Sequence, residues 1–248
     1  MGAMAAHAAC NSKLGDSPPE LAMRGTFAHD QRMVMWAGRA GTKLLASGRS
    51  FAVVLVSCIS FFRAQTVGAQ SLALPSSAAS GVGAAVAQLQ SAYDQKTTMN
   101  TAFQQRFWVK THNQSMTRRG RVTFAKPGKM HWVYDGAGFK HVMSEGDVIN
   151  LYNAQTHEAI AEPIDASPYN AFSFLTGAST LASDFSFALL SGQQGRFPCG
   201  YVLIGTPKLA TAAFRKVFFY VTNADAQLRR VVIVDHQGDE NQFDFVSL

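Results

Sequence analysis

The residue types that most often carry out chemistry are scattered through this sequence, without the spacing that catalysis or metal binding requires. Beyond residue 69 there are five histidines, none of them in an HExxH pattern: His112, His131, His141, His157 and His236. There is also no GxSxG, GxxxxGK or paired CxxC motif. The adjacent acids Asp239 and Glu240 belong to the turn-like HQGDEN segment, where exposed acidic residues are common. We therefore expect no enzyme activity, no metal site and no cofactor, although catalytic groups from distant strands could still converge in the fold.

Large apolar side chains, by contrast, follow a regular pattern in RGRVTFAKPGKMHWVYDG, residues 119–136. On each side of the KPGK turn they alternate with polar residues, and after the turn they form the row Met130, Trp132 and Tyr134. Alternation of this kind places the row on one face of a strand, with His131 exposed on the other. Such a face either fills an ordinary core or lines a cavity for an apolar ligand.

The elements that must position these side chains are short strands. Eleven strand-like runs follow one another from MNTAFQQRFWVKTH (99–112) to NQFDFVSL (241–248), and turn signals such as DGAG and NADAQ separate them. Many short strands joined by tight turns are typical of an antiparallel sheet rolled toward a barrel or sandwich. The pattern therefore predicts a mainly β protein.

Two segments depart from the strand pattern. In AVAQLQSAYDQ the residues Leu89 and Tyr93 belong to an apolar stripe at helical spacing, which predicts a helix at the start of the domain. Between residues 165 and 185, Pro168 and Gly177 bound a short helical segment whose apolar members are Phe172, Phe174 and Leu175. An apolar helix inserted between strands must cover something, and an open mouth of the rolled sheet is the natural place.

The N-terminal part has the organisation of an export signal. The basic residues Lys43 and Arg49 precede the apolar run 51–62, and small residues follow it, with cleavage expected before Gln70. The run is too short for a membrane-spanning helix, which needs about 20 apolar residues. We therefore predict an extended N-terminal region with a secretory signal over residues 1–69, a flexible linker over 70–83 and one domain over 84–248.

Cysteine usage leaves one alternative open. The residues 55–58 read LVSC, which fits a bacterial lipobox in which Cys58 would be lipidated and become the mature N-terminus. Against this, the apolar run continues past Cys58 to Phe62. Cleavage near Ala69 would leave Cys199 as the one cysteine, where we expect a buried small hydrophobic residue.

The positive charge of the chain lies mostly in its leader. The sequence carries 22 Lys and Arg against 16 Asp and Glu, but residues 70–248 hold 15 against 13. No run of basic residues with interleaved aromatic residues occurs there at the density of a nucleic-acid interface. We therefore predict that the protein binds no nucleic acid.

Several segments, in this order, carry a resemblance to a known family. They are TTMNTAFQQRF, the hairpin 119–136, VMSEGDVINLYNAQTHEAIAEPI, NAFSFLTG and the final stretch from FRKVFFYVTN to the C-terminus. Together they resemble the outer-membrane lipoprotein carrier protein family, LolA, over residues 86–248. The resemblance implies an unclosed antiparallel β-barrel, or half-barrel, with an N-terminal helix and a short helical lid over an apolar interior.

The resemblance also implies a function and a set of partners. Family members are periplasmic carriers that take lipoproteins from an inner-membrane ABC-type exporter, hold their acyl chains and deliver them to an outer-membrane acceptor. We expect a monomer with the same role, or, if Cys58 is lipidated, an outer-membrane-anchored acceptor resembling LolB, which shares the fold.

Matched positions give the residues expected to contact lipid. They lie on the first three strands and on the lid: Phe103, Phe107, Val122, Phe124, Met130, Trp132, Phe172, Phe174 and Leu175. Lys126 falls where the family often has an arginine before proline, a position associated with holding the lid closed. A lysine ammonium lacks the planar fork of arginine, so we expect it to tie carbonyl groups of the lid helix less rigidly.

Overall fold

Antiparallel strands make up most of the part of the chain that the structure describes. The computed structural model describes residues 76–136 and 140–248, with side chains from residue 81 onward. Each of the eleven predicted runs overlaps one strand, although β2 begins six residues before the run GRVTFAK that predicted it. The strands are β1 (Thr98–Val109), β2 (Gln114–Ala125), β3 (Lys129–Tyr134), β4 (Lys140–Glu145), β5 (Val148–Asn153), β6 (Glu158–Pro163), β7 (Phe185–Leu190), β8 (Gly200–Pro207), β9 (Lys216–Thr222), β10 (Leu228–Val234) and β11 (Glu240–Phe245).

The strands form one sheet with two free edges. Their order is β6-β5-β4-β3-β2-β1-β11-β10-β9-β8-β7, with antiparallel pairing throughout. The edge strands β6 and β7 are consecutive in the sequence, so residues 164–184 connect one edge of the sheet to the other. The predicted unclosed antiparallel sheet is therefore confirmed, and the connection between its edges is the segment predicted to cover its mouth.

One long helix precedes the sheet. Helix α1 spans Ser76–Asp94 and buries Leu89 and Tyr93 completely. It begins inside the segment 70–83 that we predicted as a flexible linker, so that prediction is wrong from Ser76 onward. The physical reason is that alanine favours helix and Val82 packs against the core, which stabilises the first turns. None of the described helices is long and apolar enough to cross a membrane.

The connection between the two sheet edges contains short helices. A 3-10 helix at Ile164–Ala166 is followed by a second at Pro168–Thr176, here called the inserted helix, and by α2 at Leu181–Asp184. Pro168 occupies the first position of the inserted helix, and Gly177 ends it in the left-handed conformation, with φ 70°. A residue with a side chain is disfavoured in that conformation, so glycine provides the stop that the sequence predicted.

Apolar side chains form two separate clusters. The larger one lies on the inner face of the sheet, between the strands, α1 and the inserted helix. The smaller one lies on the opposite face, here called the outer face, and consists of Phe197, Val202, Phe218, Tyr220, Val232 and Val234. Consequently β9 and β10 are buried on both faces, whereas β3 and the second half of β2 are buried on one.

Candidate functional site

Trp132 lies at the centre of an aromatic cluster on the inner face of the sheet. Its side chain is fully buried, and its ring centroid is 4.9 Å from that of Phe103 and 5.6 Å from that of Phe124, both in edge-to-face geometry. Two further rings, those of Phe172 and Phe243, lie 5.1 Å away. Aromatic pairs at these distances contribute about 0.5–1.5 kcal/mol each beyond the area they bury.

A glycine allows the rings to approach the strands closely. Gly120 on β2 lies opposite Phe103 on β1 and Tyr134 on β3. A Cβ atom at this position would lie 3.0 Å from the Phe103 ring and closer still to the Val133 carbonyl oxygen. The absence of a side chain at Gly120 is therefore needed for the cluster to form.

The inner face contains most of the side chains predicted to contact lipid. Four buried sheet residues, Phe103, Val122, Phe124 and Met130, surround Trp132, and the inserted helix contributes Phe172, Phe174 and Leu175, all buried. Phe107 lies on the same face but beyond the core, near the end of β1, where 38% of it is exposed. The structure thus brings eight of the nine predicted residues together and leaves Phe107 at the rim. Their role in lipid binding stays a prediction.

The inserted helix covers this face through ring contacts and a few polar ties. Phe172 contacts the rings of Phe124 and Phe245, and Phe174 contacts those of Tyr93 and Phe219. At its C-terminal end, the Gly128 N–H donates a hydrogen bond of 2.9 Å to the Thr176 carbonyl oxygen. The KPGK turn that contains Gly128 therefore contacts the end of the inserted helix.

A pair of buried tyrosines forms the second tie. The hydroxyl groups of Tyr134 on β3 and Tyr169 on the inserted helix are 2.8 Å apart. Burial raises the pKa of Tyr169 to about 12, and burial together with the Tyr169 hydroxyl raises the pKa of Tyr134 as well. Both groups are therefore neutral at physiological pH and can share one hydroxyl proton in a hydrogen bond.

Lys126 holds a different helix from the one we expected. Its ammonium donates hydrogen bonds to the carbonyl oxygens of Tyr93, at 2.9 Å, and Asp94, at 2.8 Å, in the last turn of α1. The expectation that it would bond to carbonyls of the lid helix is wrong, because the carbonyls within its reach are those at the end of α1, which attracts a cation. Its aliphatic stem does reach the inserted helix, since a Cβ atom at Gly177 would lie 3.3 Å from it. Lys126 thus lies between the two helices.

The polar residues considered for chemistry lie away from this interior. His131 is exposed on the outer face, where its Nε2 atom is 3.0 Å from Nδ1 of His141. Asp239 accepts a hydrogen bond from the Lys110 N–H in an exposed turn. Among the residues that the structure describes, no group of three metal-ligating side chains could hold an ion. The interior is suited to apolar contact, not to proton transfer.

Known proteins resemble this one in sequence. The sequence profile described as outer membrane lipoprotein carrier protein LolA matches residues 94–248, which is more than half of the chain. The chain belongs to the LolA family. The predicted family is therefore confirmed, and with it a lipoprotein carrier function in general terms. LolA-family carriers are periplasmic binding proteins and not enzymes.

Individual proteins resemble this chain in sequence or in structure. An outer-membrane lipoprotein carrier protein from Nitrosospira multiformis is 24% identical over 168 residues, which cover 67% of this chain and 77% of that protein. Among solved structures, a LolA superfamily protein from Nitrosomonas europaea has a TM-score of 0.40 at 10% identity, covering 66% of this chain and 90% of its own. The lipoprotein LppX from Mycobacterium tuberculosis has a TM-score of 0.35 at 14% identity, with coverages of 67% and 93%.

Several side chains of this LolA interior were not among the residues predicted to contact lipid. Tyr169, Phe219, Phe243 and Phe245 all contact the predicted residues, although three of them come from the last strands of the chain. The pairing of β11 with β1 brings Phe245 opposite Phe103. The alternation in NQFDFVSL predicts that Phe243 and Phe245 share a face, but which strand they neighbour is decided by the topology.

Proposed function

We propose that this LolA family member is a periplasmic carrier that transfers lipoproteins from the inner to the outer membrane. The acyl chains of the bound lipoprotein would lie between the inner face of the sheet and the inserted helix, once that helix has moved away from Trp132. The partners would be an inner-membrane ABC-type exporter and an outer-membrane acceptor. The predicted lipid-contacting residues, from Phe103 to Leu175, would form the walls of the opened cavity.

One observation carries this proposal: a continuous apolar face is covered by a segment with few polar ties to it. Two hydrogen bonds, Gly128 to Thr176 and Tyr134 to Tyr169, tie the inserted helix to the sheet. Each contributes about 1 kcal/mol net, whereas burial of an acyl chain contributes about 0.8 kcal/mol per methylene. Burial of a few methylenes therefore offsets the free energy of both hydrogen bonds, although the displaced rings also lose contacts. This balance suits a carrier that must both accept and release its cargo.

Lys126 would set the balance between the closed and the open form. Its ammonium fixes the end of α1 while its stem rests beside Gly177, so it links the two helices that border the inner face. Displacement of the inserted helix by acyl chains would remove the neighbour of that stem. The closed form is then favoured by a contact that the open form lacks, which promotes release of the cargo.

The test is a purified transfer assay in which the protein first accepts a labelled lipoprotein and then delivers it to acceptor-containing membranes. Lys126→Leu should accept the lipoprotein normally and deliver it at least about fivefold more slowly, because a side chain that is no longer fixed to the end of α1 loses its position beside Gly177, and the closed form loses that contact. Lys126→Arg, which keeps the charge and the donors, is the matched control and should deliver normally. Equal delivery by all three proteins would contradict the role given to Lys126, and failure of the unmodified protein to accept any lipoprotein would contradict the carrier function.

The LVSC sequence at residues 55–58 supports a second candidate, an outer-membrane-anchored acceptor of the LolB type. These residues lie outside the part of the chain that the structure describes. Mass spectrometry of the exported protein distinguishes the two candidates. An N-terminus at or near Gln70 supports the carrier, whereas a diacylglyceryl group on Cys58 supports the acceptor.

The same assay tests the expectation that the protein is not an enzyme. His131→Ala and Asp239→Asn should leave acceptance and delivery unchanged, because both side chains lie far from the inner face. A loss of transfer in either variant, with folding intact by circular dichroism, would indicate chemistry at that residue.

A further inference from the structure

A small pocket opens on the inner face at the end of the β1–β2 hairpin, beside the start of the inserted helix. It encloses about 230 Å³ and is lined by apolar, cationic and hydroxyl side chains: Gln105, Phe107, Met116, Arg118, Tyr134, Lys140 and Tyr169. Strand register explains the arrangement, because Phe107 pairs with Met116 and Gln105 with Arg118. The pocket therefore lies at the mouth of the interior, just outside the aromatic cluster.

Two cations from different strands meet in this pocket. Arg118 on β2 and Lys140 on β4 both line it, and the side chain of neither forms a hydrogen bond or ion pair with another of the residues that the structure describes. Burial and the neighbouring Arg118 charge lower the pKa of Lys140, while the carboxylate of Glu162 opposes this shift. Two like charges held together in this way favour an anion between them.

The same pocket exposes large apolar side chains. Phe107 is 38% exposed and Met116 is 55% exposed, and both lie on the face that leads to Trp132. The hydroxyl groups of Tyr134 and Tyr169 supply polar atoms at the inner end. A pocket with cations on one side and apolar groups on the other matches a molecule that carries an anionic group next to a hydrocarbon chain.

We propose that this pocket binds the phosphate-bearing head group of an acylated amphiphile, with the phosphate between Arg118 and Lys140 and the first methylenes against Phe107 and Met116. A phosphate presents oxygens in several directions and so can accept from both cations at once, with Arg118 matching it in a planar fork. The volume is below the about 300–1,000 Å³ of pockets that enclose whole drug-sized ligands, and so suits a head group. The proposal goes beyond the proposed function and rests on it only for the interior that would take the chains.

Calorimetric titration of the purified protein at low ionic strength tests this. The probes are dihexanoyl phosphatidic acid, dihexanoylglycerol, which differs from it by the phosphate alone, and inorganic phosphate. Phosphatidic acid should bind about tenfold or more tightly than either of the others, because only it supplies both parts. Equal affinity for the two lipids would overturn the role of the cations, and equal affinity for inorganic phosphate and phosphatidic acid would overturn the role of the apolar side.

Matched variants locate the site. Arg118→Gln and Lys140→Gln should each remove most of the preference for phosphatidic acid. Arg121→Gln on β2 and Lys129→Gln on β3 remove the same charges from the outer face and should keep it. All four positions are partly or largely exposed, so the variants should fold, which urea denaturation checks. A preference that survives in both pocket variants contradicts the proposal.

Three outcomes separate this proposal from a peptide-binding pocket and from the carrier function. Tighter binding of a hexanoylated aspartate peptide than of phosphatidic acid would assign the pocket to a peptide carboxylate and overturn the phosphate. In the second outcome, the unmodified protein fails to transfer lipoproteins and yet prefers phosphatidic acid, with that preference lost in Arg118→Gln. That result would reject the carrier function and leave this binding site standing. Intact lipoprotein transfer by a protein that shows no preference for phosphatidic acid would reject this binding site and leave the carrier function standing.

Discussion

The two halves of the sheet bury their strands differently. On β9 and β10 every residue after Lys216 is buried, because Phe197 and its neighbours cover the outer face while the inner face contacts Phe174 and Phe185. On β3, and on β2 from Gly120 onward, the inner face is buried, but the outer face carries Arg121, His131 and other polar side chains in contact with solvent. One half therefore has two packed layers, and the other has a single layer.

This difference indicates which part of the molecule can move. The outer cluster on β8–β10 lies within the sheet and its own loop, so it stays intact whether or not the inserted helix moves. The cluster around Trp132 depends on that helix, since Phe172 supplies one of its closest rings. The doubly buried half is thus a scaffold, and the half buried on one face is the wall that our proposal assigns to lipid.

The largest effects are expected from Phe172→Ala and Phe218→Ala, which remove one buried ring from each cluster. Each should lower the free energy of unfolding by about 3–5 kcal/mol, as the loss of a buried phenylalanine does in other cores. The two should differ in binding: Phe172→Ala leaves space under the inserted helix and should raise affinity for an apolar fluorescent probe, whereas Phe218→Ala should not. Urea denaturation and probe titration measure both, and an equal change in probe affinity would contradict the division into wall and scaffold.

Alkaline pH should weaken both halves through their buried tyrosines. Burial raises the pKa of Tyr169 in the wall and of Tyr220 in the scaffold to about 12, above the usual 10. Because the folded state holds these protons more tightly, the stability they contribute is complete below pH 10 and is lost as pH rises to 12, by on the order of 2 kcal/mol per group.

Removing either hydroxyl tests this. Tyr169→Phe and Tyr220→Phe should each make the decline of stability between pH 10 and 12 shallower, measured by urea denaturation at fixed ionic strength. A decline of the same steepness in both variants would show that other groups cause it.

A smaller effect is expected from two buried hydroxyl groups that hold turns. Ser144 accepts a hydrogen bond from the Met130 N–H and donates one to the Gly128 carbonyl oxygen, and Thr222 accepts one from the Gln227 N–H in the scaffold. Ser144→Ala and Thr222→Val should each cost about 1–2 kcal/mol of stability because backbone groups lose their partners. Only Ser144→Ala should also alter lipoprotein delivery, since Gly128 contacts the inserted helix. An unchanged delivery rate would separate the KPGK turn from the movement of that helix.

The smallest effect concerns the exposed outer face of the wall. Burial, and secondly the neighbouring His141, lower the pKa of His131, so the folded state favours its neutral form. The small stability it contributes, below about 1 kcal/mol at such an exposed site, is present above the unfolded pKa of about 6.5 and lost as pH falls. Proton NMR should find the His131 pKa below its usual value and only partly restored in His141→Ala. Complete restoration would mean that His141, and not burial, dominates.

The strands and their faces could be predicted because their signal is local. Alternation in GRVTFAK and KMHWVYDG assigned Phe124, Met130 and Trp132 to one face, and the structure has them there. The start of α1 could not be predicted in the same way, since an alanine- and serine-rich segment becomes helical when neighbours such as Val82 find a core to pack against. The partner of Lys126 was missed for a similar reason, because two helix ends lie within its reach.

The sequence by itself determined that this is a mainly β protein of the LolA family with one apolar sheet face and a short apolar helix to cover it. These properties follow from residue type and spacing, which act within a few positions of the chain. The tertiary structure alone decided that Phe243 and Phe245 complete the wall, that Phe218 faces the other way, and that Arg118 and Lys140 meet at its mouth. Each of these depends on which strands become neighbours, and that choice is made by the packing of the whole sheet.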